Sequence, residues 1–404
     1  MHRSPLAAAL LAALLLVPAH ARAQATDAAR ALARDAVIVD THIDAPGELM
    51  DGWRDLTAAS DREFDWPKAQ AGGLDVAFMS IYTSPRQDAD DTAFHAANQQ
   101  IDAVWALAAR APDKFAVLTS PRDVKRLSKA GRVLLPLGME NGAPIGADLA
   151  RLAFFQQRGV RYITLAHSAA NRIADSSYGV ERKWNGLSPF GREVVAEMNR
   201  LGIMVDVSHL SDAAALEAIR LSRVPVIASH SGMRHFTPGF ERNASDEVAK
   251  AIAAKGGVVQ ITFGTGFVNP QAAAYMQAKF RERTAMQARN AEARAAGKPE
   301  QDEAAWGKAW DAAHPVPATP ISAVVDQVVY AVRLLGADHV GIGSDFDGVG
   351  GELPEGLRNA ADYPNLIAGL QAAGLADADI RKVLGGNLLR VWTAIEDGAA
   401  THSR

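Results

Sequence analysis

Two residues with metal-binding side chains lie two positions apart near the start of the sequence. His42 and Asp44 follow a short apolar run, Ala36–Val39, that is rich in β-branched residues and shows no polar alternation. Such a run is typical of a parallel strand covered on both faces, and side chains two apart on a strand point to the same side. An imidazole and a carboxylate that point together predict a ligand pair for a divalent metal ion.

Further side chains that bind metals or move protons follow other predicted strands. The sequence contains only 11 histidines, and three of them come directly after separate apolar runs. With two acidic residues they form the set Glu140, His167, His209, His230 and Asp345. In a barrel of parallel strands, active-site residues come from the carboxyl ends of different strands. The sequence therefore predicts that these residues meet His42 and Asp44 at one mouth.

The apolar runs alternate with segments of helical spacing. The predicted strands cover residues 36–39, 74–82, 133–139, 161–166, 203–207, 225–228, 258–263 and 339–343. Eight strands, mostly separated by helices, predict an α/β fold of the (β/α)8 TIM-like barrel type. We predict one barrel domain over residues 24–404, with no second independent domain.

One connection is much longer than the others. Residues 270–317, between predicted strands seven and eight, are rich in Ala, Gln, Arg and Glu and are interrupted at Gly297 and Pro299. Because long structureless loops are uncommon, we predict two exposed helices that form an insertion beside the mouth. Thr319–Pro320 then predicts the N-cap and first residue of the next helix, and Gly336 predicts its end.

Composition restricts the class of protein. The 404 residues are 48% hydrophobic and 22% charged, as in ordinary globular proteins. The formal net charge is −4 without a basic patch, which argues against nucleic acid and favours a small-molecule partner. The sequence contains no cysteine, so any metal must be held by His, Asp and Glu, which favours zinc or a similar first-row ion.

The N-terminus has the layout of a secretory signal. Arg3 precedes an apolar run over residues 6–17, and small-residue triplets follow up to Ala23. We predict that residues 1–23 are a cleaved signal peptide, that the protein is periplasmic or secreted, and that no membrane anchor remains after cleavage.

The set of ligand types is large enough for two metal ions. Two ions about 3.5–4 Å apart can hold one hydroxide between them and polarise the carbonyl under attack. A carboxylate that bridges the ions would complete such a site. The predicted chemistry is therefore hydrolysis of an amide or an ester.

Short motifs around these residues are specific when taken together. They are Asp40–Asp44, Trp66–Lys68, Gly138–Gly142, Leu165–Ser168, Asp206–His209, Ser229–Ser231, Arg242–Asn243, Gly343–Gly348 and Gly386–Val391. In these segments the chain resembles the membrane dipeptidase (renal dipeptidase) family of zinc peptidases, from about Asp40 to the C-terminal helices. The resemblance implies hydrolysis of dipeptides, including those with a C-terminal D-residue.

The resemblance also implies a set of metal ligands. His42 and Asp44 would hold one zinc ion, and His209 and His230 would hold the other. Glu140 would bridge the two ions, which gives two zinc ions per chain.

Three further residues match positions with other roles in the family. His167 would contact the substrate and stabilise the oxyanion of the tetrahedral intermediate. Asp345 would move the proton from the attacking water to the leaving amine. Arg242 would bind the free carboxylate of the dipeptide substrate.

Two other classes of function stay open. Another barrel amidohydrolase, such as a deacetylase, lactonase or β-lactam hydrolase, commonly bridges two metals with a carbamylated lysine on strand four, where this chain has His167. A non-catalytic zinc-binding or peptide-binding protein would keep the ligands but would have no use for Asp345 and His167. The sequence does not decide between a monomer and a homodimer, nor which dipeptide is preferred.

Overall fold

The computed structural model describes residues 25–50, 52, 54–128, 131–179 and 182–402. The predicted signal peptide, residues 1–23, lies outside the described residues. In the described part, ten strands form one sheet in which all strand pairs are parallel. The strands are β1 Ile38–Ile43, β2 Leu74–Tyr82, β3 Phe115–Val117, β4 Val133–Leu135, β5 Leu137–Glu140, β6 Val160–Thr164, β7 Met204–Asp206, β8 Ile227–Ala228, β9 Val258–Ile261 and β10 Val340–Ile342.

Helices connect most of the strands and cover the outside of the sheet. They are α1 Asp27–Asp35, α2 Ala45–Met50, α3 Trp66–Gly72, α4 Pro85–Ala89, α5 Ala93–Arg110, α6 Val124–Leu127, α7 Ala150–Gln157, α8 Pro189–Leu201, α9 Asp212–Leu221, α10 Asp246–Ala254, α11 Thr265–Val268, α12 Pro270–Ala295, α13 Glu303–Ala313, α14 Ser322–Leu335, α15 Tyr363–Ala372, α16 Asp377–Arg381 and α17 Asn387–His402. Among the described residues, no helix combines the length and hydropathy needed to cross a lipid bilayer.

The sheet curls into a barrel. Pairing follows the order β1, β2, β5, β6, β7, β8, β9 and β10. Two backbone hydrogen bonds then join the first strand to the residues after the last: Asp345 N–H donates to His42 O at 3.0 Å, and Asp44 N–H donates to Phe346 O at 2.8 Å. The predicted (β/α)8 TIM-like fold is confirmed.

The predicted third strand, residues 133–139, is divided in two. Pro136 separates β4 from β5 and has no N–H group to donate to a neighbouring strand. As a result β4 pairs with β3, an extra strand that the sequence did not predict, while β5 pairs with β6. The carboxyl end of this strand still reaches Glu140, so the break does not move the residue at the mouth.

The barrel interior is apolar at the end opposite the mouth. Met204, Ile227 and Val258, the first residues of their strands, belong to one buried cluster with Trp392 of α17. The Trp392 ring lies 5.4 Å from the ring of Phe78 in β2. The C-terminal helix therefore fills this end of the barrel, and the other end is left for polar side chains.

The connection between β9 and β10 contains two helices, α12 and α13, over the range for which an insertion was predicted. The predicted Thr319–Pro320 cap is wrong. Thr319 O accepts a hydrogen bond from Glu355 N–H, and Ile321 N–H donates to Glu355 O, so this backbone forms a parallel bridge between Pro320 and Glu355. Helix α14 begins only at Ser322, and it ends before Gly336, where φ is 88°.

Candidate active site

The mouth of the barrel collects the predicted side chains from six strands. His42 and Asp44 lie at the end of β1, Glu140 ends β5, and His167, His209, His230 and Asp345 follow β6, β7, β8 and β10. His209 and Asp345 both have a φ of 67°, a left-handed backbone that is uncommon outside glycine. Such conformations concentrate at functional sites, and here they occur where the chain turns at the mouth.

Glu140 lies at the centre of the site, and its two carboxylate oxygens face different groups. Its Oε2 atom is 3.5 Å from His42 Nε2. Its Oε1 atom is 3.0 Å from His209 Nε2 and 3.3 Å from His230 Nε2. His167 Nε2 also lies 3.4 Å from Oε1. One carboxylate therefore connects two separate groups of ligand-type atoms.

The hydrogen bonds of His230 leave its Nε2 atom without a proton. Ser229 Oγ donates its only proton to Asp206 Oδ2 at 2.6 Å. The same oxygen lies 2.8 Å from His230 Nδ1 and must therefore accept a proton from it. A neutral His230 with its proton on Nδ1 presents a lone pair at Nε2, as metal-binding histidines do.

His209 also presents a lone pair at this position. Arg242 Nη2 donates to His209 Nε2 at 2.9 Å, and a guanidinium can only donate. His209 Nε2 and His230 Nε2 are 2.9 Å apart, and both face Glu140 Oε1. Three acceptor atoms this close repel one another, and a cation among them removes that repulsion.

A second group of acceptors surrounds His42. Tyr162 Oη donates to Thr41 O at 3.1 Å and lies 2.8 Å from His42 Nδ1, so the ring donates from Nδ1. His42 Nε2 then faces Asp44 Oδ2 at 3.4 Å. Both atoms are buried without a hydrogen-bond partner among the described residues, which is costly unless a cation pairs with them. Gly138 makes room for Tyr162, because a Cβ there would lie 1.9 Å from Tyr162 Cζ.

The pKa shifts at the site agree with a cation-binding arrangement. Burial, followed by nearby positive charge, lowers the pKa of His209 and His230 well below the ordinary value of histidine. Burial would raise the pKa of Glu140, but the surrounding histidines lower it well below its usual range. Burial would lower the pKa of His42, but Tyr162, Asp44 and Glu140 together raise it, so this position favours positive charge. Carboxylates and imidazoles without thiolates suit zinc or a similar ion.

Asp345 lies beside the ligand groups and has an altered acidity. Its Oδ1 atom is 4.0 Å from His42 Nε2. Burial, with additional effects of Asp44 and Glu140 and against the effect of His42, raises the pKa of Asp345 to about 8. A carboxyl group that titrates near neutral pH can both accept and donate a proton during a reaction.

Arg242 is buried beside the histidines rather than extended into open space. Its Nη1 atom donates to Ser231 Oγ at 3.1 Å, and its Nη2 atom donates to His230 O at 2.9 Å. Its Nε atom is buried without a partner among the described residues. The guanidinium also lies 5.2 Å from the centre of the Phe267 ring. It thus contacts Phe267 and His209, two residues that line the cavity.

Two buried aspartates support the ligands, and the sequence reasoning assigned them no role. Asp206 accepts four hydrogen bonds, from Ser208 N, Ser229 N, Ser229 Oγ and Thr164 Oγ1. Asp40 Oδ1 accepts from His42 N at 3.0 Å and from Ser344 N at 2.9 Å. Each aspartate therefore ties its own strand end to a neighbouring one. The available signal was an Asp that precedes a ligand histidine by two or three residues.

A cavity of about 910 Å³ opens above the ligands. Its floor includes Glu140, His209, His230 and Asp345. Tyr82, Tyr178, Phe267 and Met276 are among the residues of its wall. None of these four was predicted, because an aromatic or apolar residue in a loop carries no chemical signature.

Histidines outside the predicted set have other environments. The ring of His235 stacks on Tyr330, and the ring of His314 stacks on Trp310. His339 Nδ1 lies 2.8 Å from Gly257 O. These contacts lie away from the mouth of the barrel.

The fold and the site place the chain in a known class of hydrolase. A model of the membrane dipeptidase family, peptidase family M19, matches residues 26–404. The chain belongs to this family, so the resemblance inferred from the motifs is confirmed, and with it a metal-dependent, dipeptide-hydrolysing class of enzyme.

Individual relatives agree with this assignment. Dipeptidase tcpJ of Claviceps purpurea (strain 20.1) is 30% identical over 344 residues, which are 83% of this chain and 70% of that protein. The probable dipeptidase PvdM from Pseudomonas aeruginosa is 28% identical in sequence to this chain. Its crystal structure matches with a TM-score of 0.79 over 92% of this chain and 98% of that one. A metallopeptidase from Rhodobacter sphaeroides, liganded with a phosphinate mimic of the dipeptide L-Ala-D-Ala, shares the fold at 24% identity and a TM-score of 0.71, over 89% of this chain and 99% of that one.

Proposed function

We propose that the protein is a dinuclear zinc dipeptidase. The observation that carries this proposal is the pair of acceptor groups on either side of one carboxylate. One ion would be held by His42, Asp44 and Glu140 Oε2, and the other by His209, His230 and Glu140 Oε1. When bound, two such ions supply hydroxide at neutral pH and polarise the carbonyl under attack.

Asp345 and His167 would act on the reacting atoms. Asp345, whose Oδ1 atom lies 4.0 Å from His42 Nε2, would accept the proton of the attacking water and then donate it to the leaving amine. Burial lowers the pKa of His167, so its ring is neutral and carries one N–H. That N–H would donate to the oxyanion, and a neutral ring adds no further buried positive charge beside Arg242.

Arg242 would bind the free carboxylate of the substrate. Its Nη2 atom donates to the His209 lone pair that a metal would take, so metal binding would release this N–H. Its Nε–H has no partner among the described residues. Nε and Nη2 lie on the same edge of the guanidinium and form the planar fork that carboxylates prefer.

We also propose that dipeptides with a C-terminal D-residue are substrates. This proposal is supported by the family resemblance and by the L-Ala-D-Ala mimic held by the Rhodobacter sphaeroides enzyme.

A panel of L,L and L,D dipeptides, assayed with zinc-loaded protein, tests the proposed function. We expect hydrolysis of both classes, loss of hydrolysis with a chelator and recovery on addition of zinc. Protein that cleaves N-acetylated amino acids or lactones but no dipeptide would contradict the proposal in favour of another amidohydrolase.

We further propose that residues 1–23 direct export to the periplasm or the medium and are then removed. The basic start, apolar run and small residues before the cleavage site support this. Mass spectrometry of the protein recovered from the periplasm should give a chain that begins at residue 24, and full-length protein in the cytoplasm would contradict export.

A further inference from the structure

The lining of the cavity is chemically uneven. Its polar residues include Glu48 from α2, Gln87 from α4 and Gln99 from α5. A second group, Tyr178, Phe267, Met276 and Val349, lies outside these three helices and is apolar or aromatic. A substrate that lies across the cavity would therefore meet polar groups with one part and an apolar wall with another.

Helix α12 of the insertion supplies part of the apolar wall. Met276 lies on its second turn and packs so closely on Gly266 that a Cβ at this glycine would lie 2.7 Å from Met276 Sδ. A Cβ at Gly264 would likewise lie 2.8 Å from Phe267 Cδ2 and 2.9 Å from Val349 Cγ1. The two glycines thus allow large side chains to meet at this wall.

The same face of α12 continues along the wall. Phe280 follows Met276 by four residues, which places both on one side of the helix. The ring of Phe280 lies 5.5 Å from the ring of Tyr178, and the ring of Tyr178 lies 6.0 Å from that of His209. A row of rings therefore connects the inserted helix to the ligand histidines.

Helix α13 supports this face from outside. Asp311 accepts hydrogen bonds from Tyr275 and from Lys279, the two residues of α12 on either side of the Met276 turn. Lys279 Nζ lies 2.6 Å from Asp311 Oδ1. The two helices together hold Met276 against the cavity.

We propose that Tyr178, Phe267 and Met276 form the subsite for the C-terminal side chain of the dipeptide and that this subsite selects large apolar side chains. The assignment rests on the proposed function, in which Arg242 binds the C-terminal carboxylate. The Arg242 guanidinium lies 5.2 Å from the Phe267 ring. Because a carboxylate and a side chain leave the same Cα atom, a residue anchored at Arg242 has its side chain within reach of this wall.

Two series of dipeptides test the subsite. In the first, Ala is followed by Gly, Leu, Phe or Asp, so that only the C-terminal side chain changes. In the second, Gly is preceded by Ala, Leu or Phe, so that only the N-terminal side chain changes. For the wild-type enzyme, we expect kcat/KM for Ala-Leu and Ala-Phe to exceed that for Ala-Gly and Ala-Asp by about tenfold or more.

Met276→Ala should remove most of the preference for Ala-Leu and Ala-Phe, with about a tenfold loss in kcat/KM, and leave Ala-Gly and the second series nearly unchanged. Met276→Leu, which keeps an apolar side chain of similar volume, should keep the preference. Glu282→Ala, at an exposed residue of the same helix, is the matched control and should behave as wild type. Zinc content and melting temperature establish that each variant is folded.

The outcomes separate the subsite from the proposed function. Equal losses for Ala-Gly and Ala-Leu in Met276→Ala, or losses confined to the second series, would overturn the subsite while dipeptide hydrolysis stands. Wild-type protein that hydrolyses neither series would overturn the proposed function and the subsite with it.

Discussion

The barrel mouth and the inserted pair of helices, α12 and α13, are held together by different kinds of interaction. At the mouth, Asp206 is buried and accepts hydrogen bonds from Thr164, Ser208 and Ser229. In the inserted pair, Arg283 pairs with Glu303 and Arg294 pairs with Glu300 on the exposed surface.

The difference in burial has an energetic consequence. Removing a hydrogen-bond partner from a buried carboxylate costs about 1–3 kcal/mol or more, whereas an exposed ion pair contributes about 0–1 kcal/mol. We therefore expect the barrel to fix the positions of the candidate ligands, and we expect substitutions at exposed ion pairs of the inserted helices to leave them in place. In our proposals, catalysis takes place at the barrel mouth, and helix α12 contributes to substrate selection. We expect the mouth to tolerate substitution less well than the inserted helices.

The largest effect is expected from Asp345→Asn at the mouth. The change removes the proton-transfer group but keeps its size, so kcat should fall by roughly 10²–10⁴-fold while zinc content stays at the wild-type value. Steady-state assays and metal analysis of the purified variant measure both quantities. Asp377→Asn, at an exposed position of α16, is the control. Unchanged kcat in Asp345→Asn would contradict the assigned role.

Arg242→Ala should come next. Loss of the buried guanidinium should lower kcat/KM for Ala-Ala by at least about 30-fold, because a carboxylate in the cavity would lose its charged partner. The C-terminal amide of the same dipeptide lacks that carboxylate and serves as the matched substrate, with a much smaller loss expected. Equal losses for the acid and the amide would mean that Arg242 acts on the histidines and not on the substrate.

A smaller effect is expected when His42 is kept but the tyrosine that hydrogen-bonds to its ring is changed. Tyr162→Phe removes the acceptor of the His42 Nδ1 proton, so affinity for one of the two zinc ions should fall by about tenfold or more. Competition with a chromogenic chelator measures this affinity. Tyr330→Phe removes a hydroxyl that donates to Asp246, away from the mouth, and should leave zinc affinity unchanged. Equal zinc affinity in both variants would show that Tyr162 does not orient His42.

The smallest effect is expected in the inserted helices. Glu303→Gln removes the charge that pairs with Arg283 on the surface, so the free energy of unfolding should change by less than about 1 kcal/mol. Zinc content and kcat for Ala-Gly should match the wild type. Urea denaturation, followed by circular dichroism, measures the stability. A loss of several kcal/mol would remove the contrast between the two regions.

Residues at the strand ends were predictable because their signal is local. His209 and His230 each follow a short apolar run, and the carboxyl ends of parallel strands must meet at one mouth. The two exposed helices of the insertion were expected for a similar reason, since their composition is polar over a long stretch. For these features, the residues that show the pattern in the sequence are also the residues that determine the structure.

Other features depend on contacts between distant segments, and the sequence did not reveal them. In the sequence, Tyr162 looks like a core residue of a strand. Its hydrogen bond to His42 joins residues 120 positions apart, so the sequence around Tyr162 gives no sign of it. Met276 looks like one apolar residue in a polar helix, and only its packing on Gly266 connects it to the cavity. The predicted Thr319–Pro320 cap was wrong because the backbone of Thr319 and Ile321 forms hydrogen bonds with Glu355 instead.

In the proposed function, Glu140 would join two metal ions, each with its own pair of barrel ligands. Anomalous diffraction at the zinc edge, from crystals of the zinc-loaded protein, tests this directly. We expect two zinc peaks that both contact the Glu140 carboxylate, one beside His42 and Asp44 and the other beside His209 and His230. A single peak, or two peaks of which one does not contact Glu140, would contradict it.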